Sequence, residues 1–425
     1  MDMTHHVRRV GIDGDGMFLE IQFAPGMIDR VRVEELFEAN IHSGGEFILQ
    51  VKQFPVKNND TTDPFNRCMT NEDRTRVKHE LDIKSHYYNP SKELNAFSYL
   101  IHQHEVNPPL LAWDAPDADS HLEWAKKVKH KLDELLHYSR QRVPLNATIS
   151  NHSVVDGILL QKVYFNSAPG LKAVGVLARP ENIKKSLPAV IALHGHNQGK
   201  INTLCLHPSK SNSYYGFALA KRGFVTFSLD QWGWGERTGR YKKVESKPEE
   251  TFSRGLFLLG ETALGLRAWD VTRSIDFLES LDGIVNERIG IIGHSGGGAA
   301  SVYSCVLDER IDAAVISGHF CTIKHGLLAI SHCSCAHVPQ IFKWLDIPDV
   351  LAARAPKPTF IISGEHDHLF PMNGVMKGYK KLAKVYDMHG CSDELGMDLI
   401  RGKGHFFRGT MAYPWLEEKI GLHGN

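Results

Sequence analysis

The sequence lacks an excess of charge of either sign. Its 425 residues include 49 lysines and arginines and 49 aspartates and glutamates, so the formal net charge is zero, and no long basic run occurs. Binding to nucleic acid or to an anionic membrane surface requires concentrated positive charge. We therefore expect neither as a partner.

Long apolar runs and paired cysteines are also missing. No apolar stretch reaches the roughly 18 residues of a membrane-spanning helix, and the first residues do not contain the apolar core of a secretory signal. The seven cysteines are odd in number and widely scattered, which favours reduced thiols over a disulfide framework. These features predict a cytoplasmic protein.

The sequence that is present divides at about residue 110. In residues 1–110, alternating apolar residues predict strands at 17–23 and 47–51 with a short helix at 31–39 between them. We expect this region to serve as a cap or as an oligomer contact. Residues 111–425 are long enough for one large α/β domain.

The second region predicts alternating strands and helices. It begins with an amphipathic helix at residues 120–142, in which Ser120 and Glu123 form a capping box, and continues with a hairpin of two strands. Five apolar runs follow, separated by segments of helix length, the longest of which is expected at residues 256–281. The hairpin strands lie at 158–165 and 173–178, and the apolar runs at 189–193, 224–229, 288–292, 313–316 and 359–362. This order predicts an α/β fold whose mostly parallel central sheet is covered by helices on both faces.

A serine stands between one of these runs and a stretch of small residues. The segment Gly293-His294-Ser295-Gly296-Gly297 fits the G-x-S-x-G nucleophile elbow, which requires a strand before it and a helix after it. The turn strains the serine backbone, and glycines leave room for the helix to begin at once. Ser295 is the predicted nucleophile.

A serine hydroxyl needs a base within hydrogen-bond reach, and the base needs an acid to hold it. In the α/β-hydrolase order the acid and then the histidine follow the serine. Asp367, shortly after the run at 359–362, is the predicted acid, with Glu365 and Asp393 as rivals. His405, between a glycine and a phenylalanine after a strand-like run, is the predicted base.

Ester hydrolysis also needs two backbone amides that bind the developing oxyanion. Gly296, directly after the nucleophile, supplies one amide. The loop at 194–200, after the first parallel strand, supplies the other through His196. The His-x-His pattern of this loop is a weak metal signal without carboxylate or cysteine neighbours.

Four motifs resemble the dienelactone-hydrolase-like branch of the α/β-hydrolases, close to acetyl-xylan-esterase-like enzymes. They are H-G-H-N-Q-G-K at 194–200, D-Q-W-G-W-G-E-R at 230–237, G-H-S-G-G at 293–297 and G-E-H-D-H-L-F-P at 364–371. The resemblance covers about residues 122–422. It implies the α/β-hydrolase fold, the five site residues named above, and a loop at Asp230 that shapes the pocket wall. Dienelactone hydrolases proper have a cysteine nucleophile where this chain has Ser295.

The segment His332-Cys333-Ser334-Cys335-Ala336-His337 has the composition of a zinc site. A structural zinc site usually has two well-spaced ligand pairs, which this segment lacks. The resemblance implies instead a helical insertion beside the pocket, at about residues 319–350. We therefore expect no metal and no cofactor.

These features predict a serine-dependent carboxylic-ester hydrolase that acts through an acyl-enzyme on a small-molecule ester with an acetyl-like acyl group. A homo-oligomer is compatible with this prediction. A carbon–carbon bond hydrolase that uses the same three residues, with residues 1–110 as its cap, is the alternative. A prolyl-oligopeptidase type is disfavoured because residues 1–110 are too few for a propeller. The alternative of another class is a catalytically silent binding protein on the same fold.

Overall fold

The computed structural model describes residues 6–13, 16–24, 27–32, 70–80, 96–182, 185–207, 213–239 and 248–421. The chain forms two compact units, Met1–Tyr87 and Tyr88–Asn425. The division therefore precedes residue 110, because the helix at Ala96–Val106 belongs to the larger unit. A role of the N-terminal region as a cap or oligomer contact stays a prediction.

The described part of the smaller unit is a three-stranded antiparallel sheet and one helix. The strands are β1 (His6–Asp13), β2 (Gly16–Ala24) and β3 (Met27–Arg32), in the order β1-β2-β3, and the helix is α1 (Asn71–Glu80). The predicted strand at 17–23 is confirmed as β2. The predicted strand at 47–51 lies outside the described residues, as does the predicted helix at 31–39 apart from its first two residues, which end β3.

The larger unit is built on a nine-stranded sheet in the order β12-β11-β10-β9-β7-β8-β6-β5-β4. Strands β7 to β12 pair in parallel, and β4, β5 and β6 are antiparallel. The strands are β4 (Thr148–Val155), β5 (Ile158–Ala168), β6 (Leu171–Pro180), β7 (Leu187–Leu193), β8 (Val225–Leu229), β9 (Ile284–His294), β10 (Ala313–Ser317), β11 (Thr359–Gly364) and β12 (Leu395–Ile400). The predicted hairpin and all five predicted parallel strands are confirmed.

Helices cover both faces of this sheet, as predicted. Side chains alternate between the faces of a strand, so Ile191 of β7 packs in the larger core cluster while its neighbours Val190 and Ala192 pack in the second. Helices α3, α7, α8, α10 and α11 contribute to the first cluster, and α5 and α12 to the second. The helices are α2 (Ala96–Val106), α3 (Ala118–Leu136), α4 (Lys200–Thr203), α5 (Tyr215–Ala220), α6 (Pro248–Leu258), α7 (Ala263–Glu279), α8 (Gly296–Leu307), α9 (Ile341–Trp344), α10 (Ile347–Ala352), α11 (Met372–Met388) and α12 (Ala412–Ile420).

Two predicted helices differ in their bounds. Helix α3 begins after Asp117, whose carboxylate accepts a hydrogen bond from the Ser120 amide at 2.8 Å, so Asp117 and not Ser120 is the N-cap. The helix expected at 256–281 is two helices, α6 and α7. The chain turns between them at Gly260 (φ 74°), and α7 begins after Thr262, whose hydroxyl caps the Gly265 amide at 2.9 Å.

The loops that follow the parallel strands lie at one edge of the sheet, where α/β proteins bind their ligands. The segment between β10 and β11 is one of them and contains short helical turns at Lys324–Leu328 and Ser334–Ala336 before α9 and α10. Across the described residues, each helix is too short or too polar to cross a lipid bilayer.

Candidate active site

Ser295 occupies the turn between β9 and α8. Its backbone has φ 59° and ψ −120°, a conformation that residues with a side chain seldom adopt. The Ser295 amide donates to the carbonyl of Ser317 at 2.9 Å, which ties the turn to the end of β10. The predicted strand, strained turn and helix are therefore all present around this serine.

The glycines on either side of the turn have no room for a side chain. A Cβ atom at Gly297 would lie 2.0 Å from the carbonyl oxygen of Leu193, and one at Gly293 would lie 2.2 Å from the carbonyl oxygen of Gly297. Atoms that close clash. The G-x-S-x-G spacing thus reflects the close approach of α8 to the ends of β7 and β9.

Asp367 and His405 lie side by side after two neighbouring strands. Asp367 follows β11 and His405 follows β12, and Asp367 Oδ2 lies 2.8 Å from His405 Nδ1. The other carboxylate oxygen accepts the amides of Leu369 at 2.9 Å and Phe370 at 3.2 Å. The Asp367 side chain is almost fully buried, and it orients the imidazole through this hydrogen bond.

The rivals for the acid position lie elsewhere. Glu365 accepts the amide of Gly402 at 2.8 Å, and Asp393 is exposed in the turn Ser392–Glu394. Burial acts to raise the pKa of Asp367, but the hydrogen bond and charge of His405, together with the two amides, hold that pKa below its usual value. The carboxylate beside His405 is therefore ionised at neutral pH.

The second ring nitrogen of His405, Nε2, is not used by Asp367. This nitrogen is buried and has no hydrogen-bond partner in the described part of the chain. The ring packs against Gly318, where a Cβ atom would lie 2.8 Å from His405 Cε1. Because Gly318 directly follows the residue that binds the Ser295 amide, His405 and Ser295 lie against the same end of β10. This imidazole nitrogen is free to accept a proton there.

Sequence reasoning missed His294, the residue before the serine. Its ring lies 4.7 Å from the ring of His405, and its Nδ1 lies 2.9 Å from the Ser317 hydroxyl. Burial, helped by the nearby His405, lowers the pKa of His294 to about 3, so the ring is neutral. The position is unspecified in the G-x-S-x-G pattern, so the sequence contained no signal for this contact.

The two predicted oxyanion donors lie on adjoining elements. Gly296 is the first residue of α8, where amides have no partner within the helix. The His196 ring rests on Gly296, since a Cβ atom there would lie 2.8 Å from His196 Nδ1. In the His196 loop the amides of Gln198, Gly199 and Lys200 bind side chains, whereas none of the described hydrogen bonds uses the amide of His196 or Gly296.

Asp230, at the end of β8, holds the His196 loop in place. Its carboxylate accepts the Lys200 amide at 2.7 Å, the Lys200 ammonium at 2.5 Å and the Glu236 amide at 2.9 Å. A Cβ atom at Gly199 or Gly235 would lie within 2.5 Å of this carboxylate. A buried ion pair between Lys200 and Asp230 therefore joins the H-G-H-N-Q-G-K motif to the D-Q-W-G-W-G-E-R motif.

In the segment with two cysteines and two histidines, the cysteines and the histidines contact different partners. Cys333 and Cys335 face His196 from the neighbouring loop, while His337 turns back to the carbonyl of Cys333. A hydrogen bond with Cys333 and the cation of Arg267 lower the pKa of the Cys335 thiol despite its burial. His332 instead packs its ring against Phe370, as His319 does.

A family model described as the abhydrolase family matches residues 104–398. The chain belongs to the abhydrolase family. A curated relative of this abhydrolase is YtaP of Bacillus subtilis (strain 168), a hydrolase by name, which is 27% identical over 232 residues, or 52% of this chain and 74% of YtaP. Placement within the dienelactone-hydrolase-like branch stays a prediction.

Solved structures share the fold of this abhydrolase at low identity. A Bacteroides fragilis protein described as a candidate acetyl xylan esterase is 17% identical with a TM-score of 0.65, over 79% of this chain and 97% of that chain. A glucuronoyl esterase from Solibacter usitatus is 16% identical with a TM-score of 0.55, over 75% of this chain and 97% of that chain. Both confirm the predicted α/β-hydrolase fold.

Proposed function

We propose that this protein is a serine-dependent carboxylic-ester hydrolase. The observation that carries the proposal is the contact of Asp367 with His405, whose ring lies against the same end of β10 as the strained turn of Ser295. A nucleophile, a base and an orienting acid in this arrangement are the requirements of acyl transfer. The names of the structural neighbours, which include acetyl xylan and glucuronoyl esterases, favour esters over other acyl compounds.

In the proposed reaction the Ser295 hydroxyl attacks the ester carbonyl and His405 Nε2 takes its proton. Asp367 keeps Nδ1 protonated and stabilises the imidazolium that forms. The amides of His196 and Gly296 bind the oxyanion of the tetrahedral intermediate. His405 then gives its proton to the leaving alcohol, and water, deprotonated by the same nitrogen, releases the acid from the acyl-enzyme.

We further propose a small, acetyl-like acyl group. This choice rests on the name of the acetyl xylan esterase among the structural neighbours and on the aromatic rings packed beside His405. Phe370 lies with its ring 5.9 Å from the ring of His405, and His319 and His332 pack against Phe370 in turn. A short acyl chain fits such a wall better than a long one.

The test is steady-state hydrolysis of p-nitrophenyl acetate, butyrate and octanoate. We expect the acetate to react fastest, and Ser295→Ala to lose roughly 10⁴- to 10⁶-fold in kcat because the nucleophile is gone. Ser392→Ala, which changes a serine exposed at a distant turn, is the matched control and should keep full activity.

Two results would decide against the proposal. Turnover by Ser295→Ala at the wild-type rate would remove Ser295 from the reaction. Absence of ester turnover, although a fluorophosphonate still labels Ser295, would favour the carbon–carbon bond hydrolase. If the fluorophosphonate does not label Ser295 either, the silent binding protein becomes the better interpretation.

A further inference from the structure

Three metal-ligating atoms from two separate loops converge beside the oxyanion loop. His196 Nε2 lies 2.9 Å from Cys333 Sγ and 3.1 Å from Cys335 Sγ, and the two sulfur atoms lie 2.8 Å apart. Within the described ranges, these residues form the group of three or more histidine, cysteine or acidic side chains whose ligand atoms lie close enough together to bind the same ion. Neither cysteine forms a disulfide.

The backbone places the two cysteines for this role. Cys333 precedes the turn Ser334–Ala336, and Cys335 lies inside it, so the turn points both thiols toward the same loop. Glu250 of α6 fixes the residue between them by accepting the Ser334 amide at 2.8 Å and the Ser334 hydroxyl at 2.6 Å. The fold therefore directs both thiols toward His196.

Aromatic and aliphatic groups pack against one side of the cluster, where Cys335 is buried, whereas His196 is exposed. The Trp234 ring meets the His196 ring edge-on at 5.1 Å, which fixes the direction of Nε2. Leu256, Leu266 and Trp232 pack with the two cysteines in one apolar cluster. Ligands that neighbouring groups hold in a fixed orientation are what distinguishes a metal site from cysteines that meet by chance.

We propose that His196, Cys333 and Cys335 bind one zinc-type divalent cation, with water as the fourth ligand. Two thiolates and one imidazole are the ligand types that zinc prefers. In a tetrahedral site with usual bond lengths, sulfur atoms lie about 3.8 Å apart and sulfur and nitrogen about 3.6 Å apart. The three atoms must therefore move apart by about 0.5–1 Å, which side-chain rotation alone can supply.

The ion holds the oxyanion loop and does not touch the reacting atoms. The His196 ring carries the ligand atom Nε2 on one side and packs its Nδ1 against Gly296 on the other. The ring therefore lies between the ion and the start of α8. An ion at Nε2 links the His196 loop to the segment between β10 and β11, which is a positioning role.

Anaerobic titration of the reduced, chelator-treated protein with Co²⁺ tests the proposal without using activity. We expect one equivalent of Co²⁺ to give a thiolate-to-cobalt charge-transfer band that stoichiometric Zn²⁺ abolishes. Cys333→Ser and Cys335→Ser should each lose the band and weaken binding by more than the 10- to 100-fold typical of residues that only orient a ligand. Cys391→Ser, a free cysteine outside the cluster, is the matched control and should keep it.

The proposal is overturned if wild-type protein gives no charge-transfer band, or if the band persists in both cluster variants. It is also overturned if denatured protein, purified without reductant, titrates with two thiols fewer than its seven cysteines and Cys333 and Cys335 are found linked, since the pair would then form a disulfide. Metal binding is measured separately from ester turnover, so a failed esterase assay leaves this test intact.

Discussion

Removal of the Lys200 ammonium should destabilise the protein, because it leaves the Asp230 carboxylate buried without its cation. The Lys200 side chain is 6% exposed and the Asp230 side chain 0% exposed, and their charged atoms lie 2.5 Å apart. Breaking a buried ion pair from one side typically costs about 3–5 kcal/mol. In Lys200→Met, Asp230 keeps the hydrogen bonds from two backbone amides. We therefore expect a cost near the lower limit, about 3 kcal/mol.

Thermal and urea unfolding of the variant measure this cost. A loss of about 3 kcal/mol corresponds to a fall in Tm of roughly 4 °C in a unit as large as Tyr88–Asn425. The matched control is Lys126→Met, which breaks an exposed pair with Glu123 and should cost less than about 1 kcal/mol. If both variants unfold alike, Asp230 does not depend on its cation, and the assignment of a buried ionic contact between the two motifs is wrong.

Three further predictions concern the site. Asp367→Asn should lower kcat for p-nitrophenyl acetate by about 10³- to 10⁴-fold with little change in KM, whereas Glu365→Gln should stay near wild type; equal losses would contradict the assignment of the acid. The pKa of His294 is about 3 in the folded protein, below its unfolded value of 6.5. Between these two pH values the unfolded protein therefore binds more protons than the folded protein. The free energy of unfolding then falls by about 1.4 kcal/mol for each unit by which the pH decreases. His294→Gln should remove that slope from urea unfolding curves measured between pH 4 and 6, and an unchanged slope would argue against a neutral buried ring. Gly297→Ala should abolish folding or activity because its Cβ would lie 2.0 Å from a carbonyl oxygen. Gly255→Ala in α6, where a Cβ would have no atom within 4 Å, should instead stabilise the protein by about 0.5–1 kcal/mol. If thermal unfolding shows that the protein tolerates both changes, the close packing at the turn is contradicted.

Strands β5 to β11 were predictable because each is a largely apolar run between polar loops, whereas β4, which is exposed at every residue, was not predicted. Strands β7 and β8 are buried at every residue, so their sequences show no alternation and could be recognised as the interior of a parallel sheet. Helix bounds were harder to predict. Asp117 and Ser120 are both good N-cap residues, and only the backbone shows that the chain becomes helical before Ser120.

The candidate site likewise has a part that could be predicted from the sequence and a part that could not. Ser295, Asp367 and His405 each follow a recognisable strand, so their order along the chain was sufficient to choose them, and the structure brings Asp367 and His405 into contact. The contact of His196 with Cys333 could not be predicted, because residues 196 and 333 lie in loops that meet only through the sheet order. In the sequence the two cysteines lie beside His332 and His337. In the structure their thiols face His196 instead.

The central claim is that Ser295 becomes acylated during ester hydrolysis. The direct measurement is peptide mass mapping of protein mixed with p-nitrophenyl acetate and quenched in acid within one turnover. We predict a single acetyl group on the peptide that contains Ser295, absent from Ser295→Ala and from protein left to complete deacylation. An acetyl group on another residue that forms and decays at the turnover rate, with the Ser295 peptide unmodified, would contradict the account.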